Sequence, residues 1–270
     1  MRYPSISYED EGFIICILIG RLEPKGSLPF IAAGNRDEFY DREGKPPILR
    51  EESEYRYVSP KDSREGGTWI GINEAGVFVG LTNTPSEEEV DDAPSRGTIV
   101  RTLLEEGKST QHARELLEDT FDIDSFNPFS LLIVAPDGLM NYSHNVNGDD
   151  GVKEGESGSF VLSNETGFEL HEAGGQWDRF PWRHHSERED PEQLRGRLQG
   201  FCKMHESFME RDQVCYHGDE AGTLSSTNII IDRKDRRLYY DYTGGPPCEV
   251  LYQPVDVTPS FEEAVINSWD

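Results

Sequence analysis

Apolar residues run almost unbroken through FIICILIG at 13–20, FSLLIVA at 129–135 and, in large part, SSTNIII at 225–231. A strand that is apolar on both alternating faces needs cover on both sides. Further strands are expected at 28–33, 68–73, 76–82, 159–163, 237–242 and 248–252, with turn signals at Asn73 to Gly76 and Pro136 to Gly138. Helical spacing is confined to two regions. The first, about 97–119, breaks near Gly107 and restarts after Ser109 or Thr110, with Ala113, Leu116 and Leu117 on one face. The second runs from about Pro191 to Met209, with Asp190 as N-cap and Pro191 in the first turn. Leu194, Leu198, Phe201, Cys202, His205, Phe208 and Met209 recur there at intervals of three and four, which makes Cys202 and His205 packing residues.

Strands outnumber helices, and doubly covered strands joined by short turns predict an α+β fold of two packed antiparallel sheets with helices outside. No Pro/Ser-rich linker or low-complexity tract divides the 270 residues, so one domain over 1–270 is expected. The acidic stretches 84–94 and 145–158 read as solvated loops. For 254–270 the pattern leaves strand, helix and disorder open.

Composition changes this picture chiefly through charge. The formal net charge is −26, from 52 acidic and 26 basic residues, which repels phosphate backbones and anionic membrane surfaces and argues against nucleic acid and membrane partners. Seven of the cations are lysine and 19 are arginine, a balance that resembles proteins of salt-loving archaea. Cys16, Cys202, Cys215 and Cys248 have no close paired spacing, so reduced thiols in a cytoplasm are expected rather than a zinc ribbon or a disulfide framework. The apolar run from Phe13 to Ile19 is too short to span a bilayer, and Glu9, Asp10 and Glu11 precede it where a signal peptide carries basic residues. A soluble, unexported chain is the expectation, with the oligomeric state left open.

Candidate chemistry lies in a few polar clusters. In AAGNRDEFYDR, Asn35, Arg36, Asp37 and Glu38 follow an apolar strand expected to end near Gly34, either as the rim of a site or as a salt-bridged turn. In GGTWIGINEAGVFVGLTNTP, Asn73 and Gly76 fit a hairpin turn, and Asn83 lies just past a strand where its amide can donate to a developing oxyanion. Cys215 and His217 occupy alternate positions and could share a metal or haem. With no further ligand at metal spacing they read as a structural thiol and a hydrogen-bonded histidine, so neither metal nor cofactor is expected. His184 and His185 are adjacent in a polar loop and are expected to be solvated.

NRDEF at 35–39, GGTWIGIN at 66–73, GVFVGLTN at 76–83 and SRG at 95–97 follow in the order of the NRDE family, also called the transport and Golgi organisation 2 family, and the chain resembles it. VLSN at 161–164, VCYHGD at 214–219 and GTLSST at 222–227 extend the resemblance over about 13–232, leaving 1–12 and 254–270 outside it. It implies a four-layer αββα sandwich like that of N-terminal nucleophile hydrolases, in which a cysteine at the mature N-terminus attacks an amide or ester carbonyl and its own α-amine accepts the thiol proton. Carried over by position, Cys16 is the nucleophile, Arg36 and Asp37 hold its thiolate and amine, Asn83 stabilises the oxyanion, and Asn164 positions substrate and amine.

The chain departs from that pattern at three places. Fifteen residues precede Cys16 and Ile15 adjoins it, so the mechanism requires cleavage of the Ile15–Cys16 bond. Leu224 stands where many relatives have arginine, removing a cation suited to a carboxylate or phosphate, and Gly34 stands where many have alanine. Two functions therefore remain open: cysteine-dependent hydrolysis of a small amide or ester, or non-catalytic carriage of a small ligand such as haem, with which eukaryotic relatives have been linked. In either case the partner is a small molecule.

Overall fold

Residues 16–86, 90, 92–145, 150–164, 167–171, 180–182, 189–208 and 213–270 are described by a computed structural model. The first strands are β1 (Ile17–Leu22), β2 (Phe30–Phe39), β3 (Gly44–Arg50), β4 (Tyr57–Asp62), β5 (Ile70–Asn73) and β6 (Phe78–Asn83). Helices α1 (Gly97–Glu106) and α2 (Thr110–Thr120) lead to β7 (Phe129–Ala135), β8 (Gly138–His144), β9 (Gly151–Gly155), β10 (Gly158–Ser163) and β11 (Gly167–His171). The chain continues through α3 (Pro191–Cys202), β12 (Ala221–Asp232), β13 (Arg237–Thr243), β14 (Gln253–Pro254) and α4 (Pro259–Ser268).

Two antiparallel sheets of seven strands result, ordered β11-β10-β1-β2-β12-β13-β14 and β3-β4-β5-β6-β7-β8-β9. Side-chain alternation sorts their residues into three cores. Leu18, Phe30 and Ile229 of the first sheet meet Val58, Phe78 and Leu132 of the second. Ile17, Ile19 and Ile31 on the outer face of the first sheet pack under Leu194, Leu198 and Phe201 of α3. Val79, Leu131 and Ile133 on the outer face of the second lie under Leu103 and Leu104 of α1 and Leu117 of α2. The order is helix, sheet, sheet, helices, the four-layer α+β sandwich that the doubly apolar strands predict. Among the described residues no helix is long and apolar enough to cross a membrane.

The helix starts follow the sequence. Ser109 Oγ accepts from the His112 N–H at 3.0 Å, and the Asp190 carboxylate from the Glu192 N–H at 2.9 Å, each satisfying an amide that a first turn leaves unpaired. The break between α1 and α2 also falls at Gly107, as expected.

Other expectations need correction. Strand β2 does not end near Gly34 but runs to Phe39, because β12 pairs with it as far as Ala221↔Phe39. Asn35 to Glu38 therefore lie within a strand and alternate between its faces. Helix α3 stops at Cys202, with Gly196 and Gly200 weakening its second half. His205 falls beyond it and is exposed, although Cys202 is buried as predicted. Residues 248–252 form no strand; Glu249 and Val250 donate to the Pro246 carbonyl in a turn, and only Gln253–Pro254 pair with β13. The stretch 145–158 holds β9, an exposed edge strand. The tail ends in α4, whose Phe261, Val265 and Ile266, with Trp269 just beyond it, close one end of the core between the sheets. Met209, His184 and His185 lie outside the described residues.

Candidate active site

Cys16 immediately precedes β1. The register that pairs Ile17 with Ser163 on one side and with Asn35 on the other carries Cys16 to the level of Asn164 and Arg36. Arg36 in turn pairs with Ser225 of β12. Leu18, Phe160, Leu162, Ala32 and Ile229 fix which face of each strand turns toward the second sheet. By alternation Cys16, Arg36 and Ser225 share that face, forming a polar row at the end of an otherwise apolar interlayer, with Asn164 at the same level just past the end of β10.

Cys16, Arg36 and Ser225 line a cleft with Trp69, Leu81 and Thr82 from the opposing side. Its volume of about 20 Å³ holds about one water molecule. The Arg36 guanidinium sits 4.5 Å from the Trp69 ring centroid, donates to the Arg42 carbonyl at 3.2 Å and lies 3.5 Å from Glu38 Oε2. Stacking, ion pair and backbone acceptor together fix a buried cation at the mouth of the cleft. Glu38 also takes Arg42 at 3.2 Å, and Arg42 reaches Asp62 at 2.7 Å. Burial works against ionisation of Asp62, but the Arg64 backbone N–H and the Arg42 guanidinium outweigh it and hold the carboxyl below its ordinary value.

The Cys16 thiol is half-buried and donates to the Asp37 carbonyl at 3.5 Å. Desolvation first, and then the negative charge of Asp37, push it up to about 12, against the smaller opposing pull of Arg36. In this form the sulfur is a thiol at neutral pH. The Asp37 side chain is buried and alternates to the face under α3, where its Oδ1 accepts from Thr223 Oγ1 at 2.6 Å. Thr223 Oγ1 accepts from the Tyr216 N–H at 2.9 Å, so the hydroxyl proton is directed at the carboxylate.

Of the residues singled out by sequence, Cys16, Arg36 and Asn164 are brought to one level, and Asp37 touches the thiol through its backbone. Asn83 ends β6 opposite Phe129, whose ring packs in the outer core with α1 and α2. Among the described residues lining the cleft, Thr82 appears and Asn83 does not. The Thr82 hydroxyl is buried and makes no hydrogen bond among the described residues. The sequence pattern singles out its neighbour Asn83 instead. Leu224 sits on a β-bulge between Thr223 and Ser225, a device that re-aims side chains beside clefts.

Two motif residues prove architectural. Asn35 Nδ2 donates to the Cys202 carbonyl at 2.9 Å and the Val214 carbonyl at 2.8 Å, tying β2 to the end of α3. Asn73 Nδ2 donates to the carbonyls of Leu104 at 3.1 Å and Gly107 at 2.7 Å, while its Oδ1 accepts the Val77 N–H at 2.9 Å. Gly67 and Gly97 explain why GGTWIGIN and SRG occur together: a Cβ on Gly67 would come 2.6 Å from the Gly97 carbonyl carbon.

A family profile described as "Transport and Golgi organisation 2" matches residues 15–243. A "Transport and Golgi organization 2 homolog" of Mus musculus is 33% identical over 96 residues, covering 33% of this chain and 35% of the mouse protein. "Transport and Golgi organization protein 2" of Drosophila melanogaster is 34% identical over 117 residues, 40% of this chain and 41% of the fly protein. The aligned stretches thus span little more than a third of those relatives' lengths. Among solved structures, penicillin V acylase from Agrobacterium tumefaciens superposes with a TM-score of 0.48 at 12% identity, covering 85% of this chain and 83% of its own. A mutant conjugated bile acid hydrolase from Clostridium perfringens gives 0.44 at 11% identity, covering 89% of this chain and 97% of its own.

Proposed function

The chain belongs to the Transport and Golgi organisation 2 family, and we propose that it is a latent cysteine-dependent hydrolase with Cys16 as its nucleophile. Its substrate is a small amide or ester, and its chemistry begins once the Ile15–Cys16 bond is cut. The observation that supports this most is the polar row of Cys16, Arg36 and Ser225 lining the cleft between the sheets, with Asn164 at the same level of the first sheet.

In the uncut chain the nitrogen of residue 16 is a peptide amide and the thiol is held protonated. A new α-amine, ordinarily titrating near ~7.7 to 8.0, can accept the thiol proton at neutral pH. The sulfur then adds to the substrate carbonyl carbon, and the carbonyl electron pair moves to oxygen. Donors across the cleft bind that oxyanion, and the buried Thr82 hydroxyl is available for the task. Collapse expels the amine or alcohol, which takes the proton held by the α-ammonium. Water, deprotonated by the same amine, then cleaves the thioester and restores the thiol. Arg36 orients a polar or anionic part of the substrate and Asn164 positions the amine, while Asp37 meets Cys16 through its backbone carbonyl.

The second reading, a carrier of a small ligand such as haem, draws on the raised Cys16 thiol and on Leu224 in place of the family arginine. A thiol-directed acylating probe separates the two. A chain starting at Cys16 is expected to be acylated at Cys16 and to turn over, whereas any 1–270 chain whose Ile15–Cys16 bond is still intact stays unlabelled there. Equal silence of both chains, with a ligand still bound, would leave the carrier.

A further inference from the structure

On the far side of the first sheet a second cluster gathers from separate segments. Cys215 and His217 precede β12, Cys248 lies in the turn after β13, and His205 stands just beyond α3. The Cys215 and Cys248 sulfurs are 3.6 Å apart, Cys215 Sγ is 3.6 Å from His217 Nε2, and His217 Nε2 is 3.1 Å from Cys248 Sγ. A tetrahedral zinc ion bonded to thiolate sulfur at ~2.3 Å and imidazole nitrogen at ~2.0–2.1 Å needs donor separations of about 3.8 Å for sulfur to sulfur and about 3.6 Å for sulfur to nitrogen. The triangle already present comes within about half an ångström of those edges on every side.

His205 stands beside Cys215 and His217, as Glu249 stands beside His217 and Cys248. The His205 Nδ1 lies 3.2 Å from the Cys215 carbonyl; as the donor of that bond it leaves Nε2 as the lone-pair atom, the arrangement that orients metal-bound imidazoles. Ligand atoms of His205, Cys215 and His217 all lie within 4.8 Å of one another. Two sulfurs 3.6 Å apart could instead close to a disulfide bond of ~2.0 Å. That bond would use neither imidazole, whereas His217 contacts both sulfurs.

We propose that Cys215, His217 and Cys248, with His205 as fourth ligand, bind one zinc ion in a closed Cys₂His₂ site. Binding displaces the two thiol protons to solvent and leaves two thiolates against the doubly positive ion. With four protein ligands the site has no open position, which makes it structural rather than catalytic. It would fasten the end of α3, the segment entering β12 and the turn after β13 to one another. Tyr216, between two ligands, donates to Thr223, which holds Asp37. The metal would thereby stiffen the layer behind the candidate active site, whether or not Cys16 is a nucleophile.

Cobalt titration of the reduced, chelator-treated full chain tests this. One equivalent of Co²⁺ should give a thiolate charge-transfer band in the near ultraviolet and strong tetrahedral bands in the visible, both removed by Zn²⁺. Cys248→Ser, at the surface, and Cys215→Ser should each lose charge-transfer intensity, Cys16→Ser should keep it, and His205→Ala should shift the visible bands. Near-ultraviolet circular dichroism checks that each variant is folded. The proposal fails if the reduced wild-type chain gives no thiolate band, if the band survives both Cys215→Ser and Cys248→Ser in folded protein, or if protein isolated without oxidant carries a Cys215–Cys248 disulfide.

Discussion

At the residue scale the account turns on the protonation of Cys16. Its thiol is raised above the ordinary value, so the fold favours the protonated form; that contribution is fully present below pH 9 and fades as pH climbs toward 12. Alkylation of Cys16 in the 1–270 chain at neutral pH should therefore be slow, and a chain beginning at Cys16 should react faster by on the order of tenfold or more. Peptide mapping of the alkylated cysteines measures this, and equal rates would remove the α-amine from its role as base. Across the cleft, Thr82→Val should lower turnover by roughly 10² to 10³, while Asn83→Ala should cost no more than a few-fold. The reverse order in kinetics on a confirmed substrate would assign the oxyanion role to Asn83 instead of Thr82. Motif order singles out Cys16, Arg36 and Asn164, and the strand register brings them to one level. That Thr82 rather than Asn83 lines the cleft was not legible, because which face a strand residue presents depends on a partner register that one sequence does not contain.

At the element scale the polar motif residues hold strands to helix ends. Asn73 satisfies two carbonyls at the end of α1 with one amide. Asn73→Ala should cost about 2–4 kcal/mol, since buried carbonyls would be left unpaired, and the midpoint of thermal unfolding should fall. An unchanged midpoint would mean that water replaces the amide. Helices α1 and α2 and the start of α3 were legible from caps and spacing, because Ser109, Asp190 and the break at Gly107 are local signals, whereas α4 was not. Strands apolar on both faces were equally plain. Strand β3 was hidden by Pro46 and Pro47, tolerated because it is an edge strand, and β9 by its exposed polar sequence. The length of β2 was hidden because its second half is polar, and only pairing with β12 makes it a strand. His205 looked like core because helical spacing was extended past the point where α3 stops.

At the scale of the whole molecule, the excess of carboxylates and the cleft impose separate requirements. A formal charge of −26 repels itself in dilute buffer, while at 1 M salt the Debye length falls to ~3 Å and the repulsion is screened. The thermal midpoint should therefore rise with KCl between about 0.1 and 2 M, and a flat profile by calorimetry would contradict a salt-adapted chain. Under the proposed hydrolase mechanism the cleft requires a new N-terminus, because only a free amine at Cys16 would let that residue act together with Arg36 and Asn164. The intact mass of the purified 1–270 protein tests that requirement most directly. The account predicts a species lacking residues 1–15, and retention of those residues in Cys16→Ala if the cut is autocatalytic. A wild-type chain that keeps all 270 residues yet hydrolyses an amide or ester would contradict it.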